Sequence, residues 1–295
     1  MPYSSRLFVA LQWLLPKHWL SDVVGWLTRI EGGLATRLAI RAFVRVYGVD
    51  MGDAADADTN AYSSFNAFFT RALRADARPS DETPDSFVCP ADGTLSEFGE
   101  LQPDRLVQAK GIDYSLLSLF DGDADLAARF EGGTFATIYL APYNYHRVHM
   151  PCEATARVLR YVPGALFSVN AITTQGVPGL FCRNERTITV FEVGPHWLAM
   201  IMVGALHVGS IELVLPTAAP ARNRPSNNQP AHVSQTLHGP TLPRGAEFGR
   251  FNMGSTVIVT VSRGALAWHA DVRAGLPVRM GELLGKALTA DHDRR

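Results

Sequence analysis

Met253-Gly254-Ser255-Thr256-Val257-Ile258-Val259-Thr260-Val261 is the stretch on which the reading of this chain turns. From Thr256 to Val261 every side chain is β-branched, which stiffens χ1 and suits a pleated strand better than a helix. A glycine and a serine stand at the lip of that run, where a rigid sheet can present a hydroxyl. Working outward, Thr134–Leu140, Arg186–Val193 and Trp197–Val203 have the same β-branched and aromatic character. Glycines at 93, 164, 204, 209 and 254 punctuate them. The chain from Val88 onward therefore reads as mainly β. Positions 217–245 read as one long Pro/Asn/Ala-rich loop, of a length that is usually functional or disordered.

Ahead of the strands the pattern is helical. Residues 6–15 and 19–30 form two short predicted helices separated by Pro16, and a third covers 33–47. In the second, Trp19, Leu20, Val23, Val24, Trp26, Leu27 and Ile30 gather on one face. Ser21, Asp22, Gly25, Thr28 and Arg29 gather on the other. Three of the five tryptophans fall within the first 26 residues, which suits a membrane interface, although a helix pair packed on its own domain is the plain alternative. An Ala/Asp-rich stretch, Asp50 to Asn60, follows; a short helix begins at Phe65, and a polar loop covers roughly 75–86. The expected fold class is α+β: a mainly β catalytic domain with barrel-sandwich-like sheets, carrying an N-terminal amphipathic helical region. The domain reading is 1–50 for membrane-associating helices and 51–295 for the catalytic part.

The 295 residues, 47% of them hydrophobic, are enough to bury a full core. A formal net charge of −1 gives no pull toward nucleic acid. That balance hides an asymmetry. Residues 1–45 hold six basic side chains (Arg6, Lys17, Arg29, Arg37, Arg41, Arg45) against Asp22 and Glu31, a net of +4. The other 250 residues carry 21 basic and 26 acidic ones, a net of −5. A basic, apolar front on a mildly acidic body points to an anionic membrane surface. The start shows no cleavable signal pattern, and no stretch approaches the roughly 18–20 apolar residues of a spanning helix. Cys89, Cys152 and Cys182 are few, odd in number and far apart, so a reducing, intracellular setting without disulfide framework or zinc knuckle is expected. Only Lys17, Lys110 and Lys286 are available for lysine-based chemistry.

Four residues stand out as carriers of chemistry. Asp92 lies in Pro90-Ala91-Asp92-Gly93, a turn into a strand; His146 and His149 lie in Tyr145-His146-Arg147-Val148-His149-Met150-Pro151; and Ser255 follows Gly254. Singly, each has a bland explanation, an Asp-Gly turn above all. Together they supply a nucleophile, a base and a group to orient that base. Because a strand follows the serine, the GxSxG elbow of an α/β-hydrolase fits poorly. Read as metal ligands, His146, His149 and Asp92 lack the helical HExxH spacing of common zinc peptidases, and no metal is expected. Gly281-Glu282-Leu283-Leu284-Gly285 is faintly like a lipoyl- or biotin-carrier hairpin, but neither Lys110 nor Lys286 has the needed setting.

An ordered set of motifs runs through the chain. Phe65-Asn66, Phe68-Phe69 and Arg71 come first, then Pro90 to Gly93, Ala109-Lys110-Gly111 and Tyr145 to Pro151. Tyr161-Val162-Pro163-Gly164, Phe167-Ser168-Val169-Asn170, Arg183-Asn184-Glu185-Arg186 and Val208-Gly209-Ser210-Ile211 follow. The set ends at Gly249-Arg250-Phe251 and Gly254-Ser255-Thr256. In these the sequence resembles the bacterial phosphatidylserine decarboxylases of the self-processing, pyruvoyl-dependent type. One departure is Met253, where that family usually has leucine; the volume is similar, so little or no loss of processing is expected.

The resemblance implies the following roles. Ser255 attacks the carbonyl of Gly254 while His149, oriented by Asp92, removes the hydroxyl proton. Gly254 leaves that carbonyl unshielded and allows a backbone conformation that a side chain would forbid. The ester then undergoes β-elimination to dehydroalanine, which hydrolyses to a pyruvoyl group with loss of ammonia, leaving fragments 1–254 and 255–295. The pyruvoyl derived from Ser255 forms a Schiff base with the serine headgroup and acts as electron sink for decarboxylation to phosphatidylethanolamine. His146 positions or protonates at that stage, and Ser168 contacts substrate. Implied partners are phosphatidylserine, the membrane surface, the two fragments for each other and a second copy in a homodimer, with the enzyme peripheral on the cytoplasmic face of the cell membrane. Pyruvoyl-dependent decarboxylation of a free amino acid is the sister chemistry, against which the apolar N-terminal helices speak.

Overall fold

The computed structural model describes residues 3–102, 105–109, 112–206, 210–215 and 233–287. Lys110, Gly111, Val208, Gly209, most of the 217–245 stretch and residues 288–295 lie outside the described residues.

The β-branched run becomes the strand Ser255–Val261, and every residue in it is buried. It occupies the interior of a nine-stranded sheet among the described residues, hydrogen-bonded to Thr134–Leu140 on one side and His196–Val203 on the other, both antiparallel. Beyond His196–Val203 the sheet continues through Arg186–Val193 and Ala154–Val162 to Val233–Thr236; beyond Thr134–Leu140 it continues through Gly93–Glu100 to Leu276–Val278. Thr241–Leu242 also pairs with Ala154–Val162. The expected continuous loop over 217–245 is thus corrected where it is described: two short strands from it close the sheet's edge.

Because side chains alternate across a strand, Val257, Val259 and Val261 face one core and Ile258 the other. The first core packs against two three-stranded sheets, contributing Val148, Ile211, Phe248 and Phe251 from one and Phe87, Leu266 and Leu284 from the other. The second is covered by short helices that bring Leu119, Phe120, Leu180 and Phe181. The mainly β, α+β expectation holds, sandwich-like on one face and helix-covered on the other.

The N-terminal region forms α1 (Tyr3–Leu14), α2 (Lys17–Thr28) and α3 (Gly33–Tyr47), followed by α4 (Phe65–Phe69). Gly48 ends α3 in the left-handed conformation, φ 63°, with its N–H on the Val44 carbonyl. Phe43 of α3 packs edge-on against Phe65, Phe68 and Phe69. The polarity of α2 runs opposite to that of an ordinary core-facing helix. Ser21 and Gly25 are its buried residues, while Trp19 and Trp26 are 62% and 67% exposed. Gln12 of α1 is buried too, its Oε1 accepting from the Ser168 N–H at 3.1 Å. No helix among the described residues is long and apolar enough to cross a membrane.

Gly164 shows how tightly the site-bearing loops are wedged against the sheet. A β-carbon there would lie 2.5 Å from the Arg183 carbonyl oxygen and 2.6 Å from the Asn184 carbonyl carbon, both backbone atoms. Gly164→Ala should therefore cost about 2–3 kcal/mol, read as a lowered urea midpoint with unchanged slope.

Candidate active site

Ser255 is the first residue of the central strand, in register with Leu140. It is fully buried, and its hydroxyl has no hydrogen-bond partner. Orphaned buried hydroxyls are uncommon and ask for an explanation. Beside it lies Gly254, where a β-carbon would sit 3.7 Å from the Leu140 carbonyl oxygen and 3.9 Å from His146 Nε2. Those are ordinary contact distances, and Gly254 is not among the residues with positive φ. The expectation that glycine supplies the unusual backbone here is corrected: the left-handed-side torsion belongs to Met253, at φ 125°.

His146 is fully buried, its ring 4.0 Å from that of Phe69. Its Nδ1–H donates to the Asn144 carbonyl at 2.8 Å, so Nε2 carries the lone pair, and that atom has no partner. Burial is the main cause that pulls the imidazole's pKa down to about 3. The ring is therefore a neutral base facing the Gly254 backbone. The Phe251 N–H on the His146 carbonyl, 3.0 Å, ties the two segments together.

His149 and Asp92 sit on adjoining segments, linked by the His149 N–H to the Pro90 carbonyl at 2.8 Å. The expected hydrogen bond between their side chains is not formed. His149 donates from Nδ1 to the Gly245 carbonyl at 2.8 Å, and its Nε2 accepts from the Tyr145 hydroxyl at 3.0 Å. Asp92 instead takes Arg78, whose Nε lies 3.0 and 3.1 Å from the two oxygens and whose Nη2 lies 2.5 Å from one of them. The Met280 N–H adds a further bond at 2.9 Å, and Arg78 also reaches Asp53 at 2.7 Å. The physical reason is charge: a guanidinium satisfies a buried carboxylate with parallel charge-assisted bonds that a neutral imidazole cannot match. The structure thus joins Ser255, Gly254 and His146, and leaves Asp92 and His149 engaged elsewhere.

Ser168 is brought to the same place. It lines a cavity of about 280 Å³ together with Gly254, Met253, Tyr139 and, from α3, Phe43 and Tyr47. Among the described residues no group of three His, Cys, Asp or Glu side chains is placed to hold a metal.

Several members of the site escape sequence reasoning. Asn252 is buried; its Nδ2 donates to Ser210 Oγ at 2.6 Å and Glu212 Oε1 at 2.8 Å, and its Oδ1 accepts from Asn66 at 3.0 Å. Asn66 and Ser210 each sit in one of the ordered motifs, but nothing in those motifs points to Asn252. Arg78 and Tyr145 had no local signal of the contacts they make.

The sequence profile of the phosphatidylserine decarboxylase family matches residues 65–286, and a second profile, described only as PSD, matches residues 7–48. The chain is 46% identical over 286 residues to the phosphatidylserine decarboxylase proenzyme of Ectopseudomonas mendocina (strain ymp), covering 96% of this chain and 99% of that one. It is 46% identical over 292 residues to the proenzyme of Shewanella baltica (strain OS185), covering 97% and 99%. For that of Shewanella halifaxensis (strain HAW-EB4) the identity is 47% over 288 residues, covering 95% and 98%.

The buried imidazole sets a pH dependence. In the unfolded chain His146 takes up a proton near its ordinary 6.5, whereas in the fold it resists until about 3. Between those values the unfolded state binds more protons, so stability falls as the pH drops through the window and is fully present above it. Urea unfolding at pH 7 and pH 5 should show a loss in the parent chain that is smaller in His146→Asn. An equal loss in both would mean that the folded imidazole protonates freely.

Proposed function

Because the chain belongs to the phosphatidylserine decarboxylase family, we propose that it decarboxylates phosphatidylserine to phosphatidylethanolamine after opening its own backbone between Gly254 and Ser255. One observation carries this reading: a buried hydroxyl with no partner lies beside the Gly254 backbone, and an unprotonated imidazole nitrogen faces the same glycine. The Ser255 oxygen first bonds to the Gly254 carbonyl carbon as the carbon–nitrogen bond breaks and the hydroxyl proton passes to the freed amine. β-Elimination then releases Gly254 as a carboxylate and leaves a dehydroalanine, which water hydrolyses to the pyruvoyl group and ammonia.

The residues present fit a pyruvoyl group at position 255, since the buried hydroxyl that would give rise to it has no partner to give up and follows Gly254, which lines the cavity with Ser168. When present, that carbonyl engages the substrate's amine and takes up the electron pair left by departing carbon dioxide. His146 then stands where a proton is handled at the substrate's α-carbon, kept neutral by its burial and aimed by the Asn144 carbonyl. Phe69 and the buried strand exclude water from the same spot. Ser168, whose main-chain N–H is fixed by Gln12, contacts the substrate in the cavity.

For the self-cleavage, the family pattern gives the role of base to His149, oriented by Asp92. A second reading has specific support, because in the uncut chain His146 offers the free Nε2 next to Gly254 while the His149 Nε2 is occupied by Tyr145. His149 reaches the role only by giving up that bond.

The exposed apolar faces of α1, α2 and α3 support docking on a membrane. Leu7, Leu14, Trp19, Trp26, Leu34 and Leu38 are all exposed, and the helices carry most of the basic excess of the front end. We assign the membrane-associating role to 1–50 and catalysis to 51–295, with docking on the cytoplasmic face. A diacyl lipid stays in its bilayer, so the headgroup would enter past Phe43 and Tyr47, which α3 contributes to the cavity.

Intact mass of the purified chain should show two fragments split after Gly254, the smaller with a blocked N-terminus. Ser255→Ala should remain one inactive piece; cleavage of that variant would remove Ser255 from the mechanism. Comparing His146→Ala with His149→Ala decides the base, as the variant that stays whole names it. In a second experiment, vesicles containing phosphatidylserine should pull down the parent chain. The Trp19→Ser, Trp26→Ser double variant should bind roughly tenfold more weakly with an unchanged melting temperature. Equal binding would separate these tryptophans from the membrane.

A further inference from the structure

The unusual torsion at Met253 lies two residues from the nucleophile, between two rigid anchors. Upstream, Asn252 is held by its three side-chain hydrogen bonds and by its main-chain N–H on the Ser210 carbonyl at 3.0 Å. Arg29, which caps the C-terminal end of α2, adds a bond to the same Ser210 hydroxyl at 3.2 Å. Downstream, Ser255 and Thr256 are locked into the sheet by pairing with Leu140 and Tyr139, and Thr256 also with Val203. Only Met253 and Gly254 span the gap. Of the two it is methionine, not glycine, that takes the φ of 125°. A side-chain-bearing residue held there is strained, and such strain persists only where the surroundings over-determine it.

Resting on the self-cleavage reading above, we propose that Asn252 is a positioning residue that forces Met253 into this torsion, so that the uncut chain stores strain which opening of the Gly254–Ser255 bond releases. The chemistry has a use for it. Exchanging an amide for an ester runs uphill, and a strained reactant starts part of the way up. When the Gly254 carbon moves from the Ser255 nitrogen to the Ser255 oxygen, the path to the Ser255 Cα gains one bond, and Met253 can relax to negative φ. Asn252 touches none of the reacting atoms; it acts through the backbone of its neighbour.

Cleavage is followed by pulse-chase in a cell-free translation reaction, and stability by melting of Ser255→Ala chains, which stay whole. Met253→Ala keeps a β-carbon and so keeps the strain; it should be cut at close to the parent rate. Met253→Gly removes the strain and should be cut about tenfold more slowly. The Ser255→Ala chain carrying Met253→Gly should nevertheless melt about 1–3 °C higher than Ser255→Ala alone. Asn252→Ala should also slow cleavage about tenfold, and the Asn252→Ala, Met253→Gly double variant should be no slower than either single one, because both act on one torsion. A Met253→Gly chain cut at the parent rate, or melting lower, overturns the inference. A double variant slowed about a hundredfold overturns the role of Asn252 in it. A parent chain that is never cut overturns the self-cleavage reading as well, whereas a cut parent with an equally fast Met253→Gly overturns this inference alone.

Discussion

Strand Ser255–Val261 is paired along both edges, with Thr134–Leu140 on one side and His196–Val203 on the other. Every other feature of the site depends on that pairing. It fixes Ser255 opposite Leu140 and buries its hydroxyl. It also leaves the two preceding residues as the only slack between the sheet and the Asn252 anchor. A hydroxyl on a loop would have to be ordered before it could take the proposed role; one at the end of a buried central strand is ordered by the fold itself. The same rigidity accounts for His146, whose ring is held by the Asn144 carbonyl, by Phe69 and by the Phe251 N–H on its own carbonyl.

Electrostatics divide the site into two compartments. Around Ser255 and His146 the setting is dry: the hydroxyl has no partner, and the imidazole is kept neutral first by burial and further by the buried Arg71 guanidinium. Behind them, Asp53, Arg78 and Asp92 form a chain of charge-assisted bonds. The strong hydrogen bonds to Asp92 push the Arg78 pKa further up, so the guanidinium keeps its charge as the pH rises. Asp92 is bound into the scaffold through Arg78 and the Met280 N–H. It braces Pro90–Gly93 against Met280, beside the segment that carries both histidines.

How far the sequence went follows from the range of each interaction. Ser255, Gly254 and His146 were legible because motif and strand end coincide, and the fold sets His146 beside Gly254; Ser168, from a loop motif, lines a cavity with Gly254. The β-branched runs named the central strands to within a residue. What could not be read was partnership at long range. Arg78 reaches Asp92 from a polar loop, and Asn252 meets Asn66 from the far end of the chain. No periodicity announces such pairs. Helix α2 shows a different limit. Its pattern separates two faces correctly, but a moment has no sign for inside and outside, and the fold turns the serine and glycine inward. The Asp92–His149 contact failed because a stronger competitor for the carboxylate stood nearby in space.

The region downstream of Gly254 is woven into the body at several points. Its first strand is the interior one of the large sheet, Leu276–Val278 caps that sheet's other edge on Gly93–Glu100, and Leu266–Trp268 with Leu283–Ala287 builds a small sheet on Ser86–Val88. A break before Ser255 would thus create two polypeptides with no route apart: among the described residues, extracting the shorter one means tearing four separate ladders. The opened molecule would behave as a single body in dilution and subunit mixing, and its halves would come free only when the whole fold is dissolved.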